Sequence, residues 1–236
     1  MFALTVFLAL GVWQVERRAS KLALIAAVTE RVNAPAQPSP SSAEWARLNA
    51  ARDAYRHGAI EGQLLHDRET LVQALTEDGA GYWVLTPLLR ENGTVVLINR
   101  GFVPAARAER ASRRAGLSPA KVRITGLLRM SEPGGSLLRS NQPAQERWFS
   151  RDVKEIAHAR GMTRVAPYFI DADATVNAGG WPRGGMTVVT FPNNHLVYSI
   201  TWFALAALAF GGLIVTLRQQ AREKALDEPV IHRADR

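Results

Sequence analysis

The sequence predicts a membrane α+β fold: two transmembrane helices flanking a mostly antiparallel, barrel-like exported domain with one or two short helices. Three observations lead there. The run from Leu196 to Leu217 holds 22 residues without a charge, and a helix of that length crosses roughly 30 Å of hydrocarbon. The chain opens on a second apolar stretch, MFALTVFLALGVW. Between the two lie short runs rich in β-branched and aromatic residues, separated by turn signals, which is the texture of strands.

The first stretch is short. About 12 residues precede Trp13, fewer than the roughly 20 that a span needs, so it reads as an anchor whose first turns precede this start or as a signal-peptide core. Gln14, Glu16, Arg17 and Arg18 follow directly, with no small-x-small cleavage site, which favours the anchor. Residues 1–16 are therefore predicted as a first transmembrane helix, truncated at its start. The helical pattern continues through WQVERRASKLALIAAVTERV, with Leu22, Ile25, Ala26 and Val32 available as a buried stripe. NAPAQPSPSSAEW then reads as a linker, and SSAEWARLNAARDAY as a short helix capped by Ser41 or Ser42.

Six strands are predicted at 59–65, 69–75, 81–89, 94–103, 121–130 and 166–172. Glu91, Asn92 and Gly93 join the third to the fourth, and the Asn-Gly pair predicts a type I′ turn. One helix interrupts the series at SRDVKEIAHARG. Ser150 can cap it, Asp152 suits its first turn, Val153, Ile156 and Ala157 line one face, and Gly161 ends it. GGWPRGG, residues 179–185, is a loop rather than a phosphate cradle, because no helix N-terminus follows it.

The exported domain is predicted to span 17–194, the second transmembrane helix 195–217 and a cytoplasmic tail 218–236. Orientation comes from charge. Arg218, Arg222 and Lys224 follow the second span, whereas Arg183 is the only basic residue from Asn177 to Asn194. Both termini then face the cytoplasm and the central segment is exported, with Arg17, Arg18 and Lys21 on the disfavoured side. The formal charge of +8 sits mostly in that segment, where lipid headgroups, acidic proteins or carboxylated cofactors are the anionic partners and nucleic acid is not. The chain has no cysteine, which excludes thiol redox chemistry and cysteine-ligated metals.

No G-x-S-x-G elbow, P-loop or dinucleotide fingerprint is present, and the five histidines (57, 66, 158, 195 and 232) include no H-x-x-x-H pair. An enzyme is unsupported. His57 and His66 flank a strand and could converge. His195 differs, because Ser199, Trp202, Ala206, Ala209 and Leu213 share its helical face within about 40°, with Tyr198 about 60° away. Small residues below an imidazole leave room for another helix or a flat ligand, and a neutral imidazole can ligate heme iron. An interfacial histidine with an ordinary belt tryptophan remains the alternative.

Four ordered blocks resemble the surfeit locus protein 1 family. GVWQVERRASK (11–21) is similar to its G-x-W-Q-x-x-R-x-x-x-K motif, and TPLLRENGTVVLINRGFVP (86–104) to its P-L…N-R-G-W-V-P block. WFSRD (148–152) resembles its W-x-x-x-D segment and NNHLVYSITWFALA (193–206) its N-N-H-L-x-Y-A-x-T-W-F span. Phe102 and Ser199 stand where the family usually has Trp and Ala, and the first span lacks its early residues. The resemblance implies a non-enzymatic assembly factor for cytochrome c oxidase, aiding delivery or insertion of heme a into the catalytic subunit. That subunit and heme a synthase are the implied partners, with the lipid bilayer; the short ends without a transit peptide favour a bacterial inner membrane over a mitochondrial one. It implies heme contact through His195, as iron ligand, and Trp202; Tyr198 and Arg100 complete the expected cofactor set, with Gly101 read as a turn residue. A structural chaperone without heme contact, and an exported sensor or hydrolase, are the alternatives.

Overall fold

The five-strand ring of the β unit follows from alternation. The computed structural model describes residues 2–136 and 139–227; of the predicted tail 218–236, residues 218–227 continue the last helix, and 228–236, with His232, lie outside the described residues. It divides into two units, Met1–Ala26 with Thr190–Arg236, and Ala27–Val189.

In the second unit the strands are β1 (Gln37–Pro38), β2 (His57–Leu64), β3 (Thr70–Thr76), β4 (Gly79–Leu89), β5 (Val95–Pro104), β6 (Lys121–Met130) and β7 (Val165–Ala172). Their order is β1-β2-β6-β7-β5-β4-β3, and β2 also pairs with β4, so β2, β6, β7, β5 and β4 close into a barrel. Pairing is antiparallel except for β5 with β7 and β1 with β2. Successive side chains of a strand point to opposite faces, and β5 shows the result. Val96 and Ile98 join Ile60, Leu64, Leu88, Leu128, Tyr168 and Ile170 inside the barrel, drawn from all five strands. Val95 and Leu97 point outward to a second core with Val72, Trp148, Val153, Ile156 and Phe169. Each such side chain contributes about 1.5–3 kcal/mol by leaving water.

All six predicted strands form, and β6 coincides with the predicted 121–130. Helix α3 (Val153–Ala159) buries Val153, Ile156 and Ala157 as predicted, but Asp152 is its cap, accepting from the Glu155 N–H at 3.1 Å. Ser150 instead accepts from Gly135 N–H and Asn141 in the loop before it. The hairpin between β4 and β5 is also different. Gly93 N–H donates to Arg90 O and Arg90 N–H to Thr94 O, with Gly93 at φ +74° and Asn92 outside the positive-φ region. This is a three-residue loop with a left-handed glycine, not a type I′ turn. The Asn92 side chain accepts from the Thr94 N–H and hydroxyl, which explains the preference.

The predicted linker is packed rather than free: β1 pairs with β2, and the Tyr168 hydroxyl donates to Pro40 O. The helix predicted after it is broken into a turn of 3-10 helix at Trp45–Arg47 and the short α2 (Ala50–Asp53), capped by Asn49. Ser41 caps nothing; its N–H and hydroxyl both donate to Glu44. Gly101 is not a turn residue. It lies within β5 at φ +126°, where a Cβ would stand 2.0 Å from Arg183 O. The segment around Arg183 crosses there, and Phe102 and Arg183 exchange backbone hydrogen bonds of 2.9 Å.

The first unit contains most of α1 (Phe2–Asn33) and α4 (His195–Asp227). Within α4 the stretch His195–Lys224 is long and apolar enough to cross a membrane, and only 6% of its most apolar window is buried, unlike a core helix. It is the one such helix among the described residues. The first apolar stretch forms the beginning of the continuous α1 rather than a separate element.

Candidate functional site

His195 opens α4, and its face is covered by α1. Along α4, Ser199 and Ala206 are buried and His195, Trp202, Ala209 and Leu213 half-buried, at alternating steps of four and three residues. Along α1, Gly11 and Gln14 are buried and Phe7, Arg18, Lys21 and Ile25 half-buried, at the same steps. A 3.5-residue repeat on both helices is the pattern of a knobs-into-holes seam. The contacts run antiparallel. Lys21 Nζ lies 5.2 Å from the Phe191 ring centroid, Gln14 meets His195, and Phe7 stacks on Trp202 at 5.8 Å. A Cβ at Gly11 would stand 2.6 Å from the Phe203 ring, so glycine is what lets α1 approach.

The small residues beneath His195 therefore receive a helix. The seam also corrects the predicted stripe on α1: Leu22 is 45% exposed, and the covered line passes through Gln14, Arg18, Lys21 and Ile25.

The hydrogen bond at the top of the seam has chemical content. His195 Nδ1 lies 2.8 Å from Gln14 Oε1. An amide oxygen only accepts, so Nδ1 carries the proton, and in the neutral ring Nε2 keeps its lone pair. Among the described residues Nε2 has no hydrogen-bond partner. A histidine whose second nitrogen donates to an oxygen, fixing ring and tautomer, is the form in which imidazole ligates a metal. No group of three metal-ligating side chains forms among the described residues, so a protein-only metal cage is not built there. What the seam offers is one imidazole with a free Nε2 beside a stacked Phe7–Trp202 pair, a single donor suited to a metal that brings its other ligands with it.

Tyr198 is 55% exposed and points away from the seam. Arg100 belongs to the other unit, where it is 4% exposed and donates through Nη2 to Gly116 O and Asn177 Oδ1. Of the four expected residues, His195 and Trp202 share one covered face, Tyr198 lies beside it on α4, and Arg100 lies in the β unit. His57 and His66 do not converge. His57 begins β2, whose eight residues extend about 23 Å, and His66 lies just beyond its end, with His57 Nδ1 on Ala34 O and His66 Nε2 on Ser118 O. Gln14 is the residue that sequence reasoning missed, although a polar side chain on a seam position is a recognisable signal.

Other residues of the four blocks hold the fold. Trp148 is 1% exposed in the outer core. Asn99, Arg129, Arg151 and Thr187 all donate to the buried Asp171 carboxylate. A buried carboxylate surrounded by donors in this way locks β5 to β7 and to the loops around them.

Residues 1–207 match the SURF1 family. The chain is similar to a SURF1-like protein of Monosiga brevicollis, 34% identical over 234 residues, covering 93% of this chain and 87% of that one. It is similar to Surfeit locus protein 1 of Mus musculus, 33% identical over 214 residues, with 84% and 68% covered. The Homo sapiens protein of that name is 33% identical over 217 residues, with 84% and 69% covered.

Proposed function

Because the chain belongs to the SURF1 family, we propose that it is a non-enzymatic membrane factor that aids heme a delivery or insertion during assembly of the cytochrome c oxidase catalytic subunit. The observation that carries this reading is the Gln14–His195 hydrogen bond, which leaves Nε2 free for iron. Heme a, when bound, would supply an iron for that nitrogen to ligate. Gln14 holds the imidazole in one orientation and one tautomer. Trp202, backed by Phe7, offers an aromatic surface one to two turns along the same face. Arg18 and Lys21 follow Gln14 on the α1 seam and supply cations for the cofactor's carboxylates. A single neutral ligand suits a carrier, because a cofactor held by one bond can be passed on.

The same reading gives the topology: the beginning of α1 and the body of α4 cross a bacterial inner membrane, both termini face the cytoplasm, and the β unit is exported. The oxidase catalytic subunit and heme a synthase are the partners.

A structural chaperone that never touches heme is the second reading, favoured by Trp202 and Ser199 being used in helix packing. Oxidase assembly in cells separates them. His195→Ala lowers the heme a content of the oxidase under the first reading and leaves it unchanged under the second, where Gly101→Val in the β unit is the damaging substitution.

A further inference from the structure

The β unit contains a second polar pocket, made by residues that the His195 reading does not use. A cavity of about 240 Å³ is lined by Arg100, His66, Leu64, Val122, Ile124 and Val176, among others. Arg100 enters it from β5. Its Nη1 is buried without a partner among the described residues, while Nη2 is spent on Gly116 O and Asn177. The charges that act on Arg100 are Glu69 and Arg113, but these hold each other: Arg113 Nη2 lies 2.7 Å from Glu69 Oε1, with the two side chains 0% and 5% exposed. Two other charged residues line the cavity, and both are engaged, Asp173 by Thr125 and Thr175 and Arg123 by Glu61.

His66 is the second unsatisfied group. Its Nε2 donates to Ser118 O at 3.1 Å, which leaves Nδ1 as a buried nitrogen without a partner among the described residues. A guanidinium removed from water without a counter-ion is costly, and an arginine fork is shaped for a carboxylate. One part of the remaining wall is apolar, formed by Leu64, Val122, Ile124 and Val176, and the rest carries Ser118, Thr125, Thr175 and Asn177. An inorganic anion would meet the charge but leave that apolar part uncovered.

We propose that this cavity binds a small organic acid, its carboxylate on Arg100 and beside His66, and its short apolar stem against Leu64, Val122 and Ile124. A cavity of about 240 Å³ has room for an acid of about six carbons. Burial pushes Arg100 down to about 10 and, with Arg100 next to it, holds His66 below its ordinary value. A bound carboxylate reverses both effects.

The test uses the full-length chain in uncharged detergent, titrated with hexanoate, hexanamide and inorganic phosphate. The readouts are thermal stability and the histidine NMR signals. Hexanoate saturates, stabilises the protein and raises the pH at which His66 titrates, while hexanamide and phosphate bind at least about tenfold more weakly. Arg100→Gln weakens hexanoate by at least about tenfold. Val176→Glu changes a loop side chain that is 83% exposed, so it folds normally, and its added carboxylate weakens hexanoate several-fold. Equal binding of hexanoate with hexanamide or with phosphate overturns the proposal. So does hexanoate binding that is unchanged in Val176→Glu and Arg100→Gln.

Discussion

Replacing Gln14 by leucine tests the role of the amide with little change in volume. In the wild type Gln14 is 8% exposed and accepts from His195 Nδ1–H at 2.8 Å. Leucine fills the same place between Gly11 and Arg18 on the seam but accepts nothing, so the Nδ1–H loses its partner at a cost of about 1–3 kcal/mol. The ring is then free to turn or to change tautomer, and Nε2 is no longer held as the lone-pair nitrogen. Loss of such an oxygen behind a ligating histidine typically costs about 10- to 100-fold in affinity for the metal group. That corresponds to about 1.4–2.7 kcal/mol, which agrees with the lost hydrogen bond. The assay is a heme titration of the purified chain followed by absorbance, with circular dichroism to show that the helices persist. Gln14→Glu keeps an acceptor and retains affinity within a few-fold. Equal affinity and equal spectra for Gln14→Leu and wild type would refute the positioning role.

Two further outcomes follow from the β unit. Gly101→Ala places a Cβ against Arg183 O at φ +126° and displaces the two 2.9 Å bonds between Phe102 and Arg183. Backbone strain of about 1–2 kcal/mol and about 1 kcal/mol per bond give a loss of about 3–4 kcal/mol, or roughly 6–16 °C in Tm by thermal melting. Gly211→Ala, with nothing within 4 Å of its Cβ, serves as the unperturbed control. The second outcome concerns pH. Burial first, then the charges of Arg100 and Arg110, hold His66 below 6.5, against the opposing pull of Ser118 O and Glu69. A base whose folded value is depressed adds stability that is full above 6.5 and is lost as pH falls below 6.5 through the lower folded value. Denaturant unfolding from about pH 7 to about pH 5 should therefore show a stability decline that is smaller in His66→Gln; parallel curves contradict the assignment.

The strands were legible because alternation is local: KVRITGLLRM carries its register within itself and forms β6 over those same residues. What was not legible depended on partners. Asn92–Gly93 has the dipeptide of one turn and adopts another because the Asn92 side chain reaches Thr94. The proline-rich stretch reads as a linker until Tyr168, more than a hundred residues later, takes the Pro40 carbonyl. For the candidate site, periodicity placed His195, Ser199, Trp202 and Ala206 on one face. It did not say that α1 covers that face, since an apolar stripe on α1 at Leu22 and Ala26 competes with the real one through Gln14 and Lys21. Arg100 stood out by its motif, and only the fold shows its guanidinium buried beside His66.

Whether His195 Nε2 receives the iron of a heme is tested most directly by one comparison of spectra. The full-length chain and His195→Ala are purified side by side from cells that make heme a, and their visible absorbance is recorded at equal protein concentration. A Soret-absorbing chromophore in the wild type that is weakened in His195→Ala is the result expected. Identical spectra from the two proteins would contradict it.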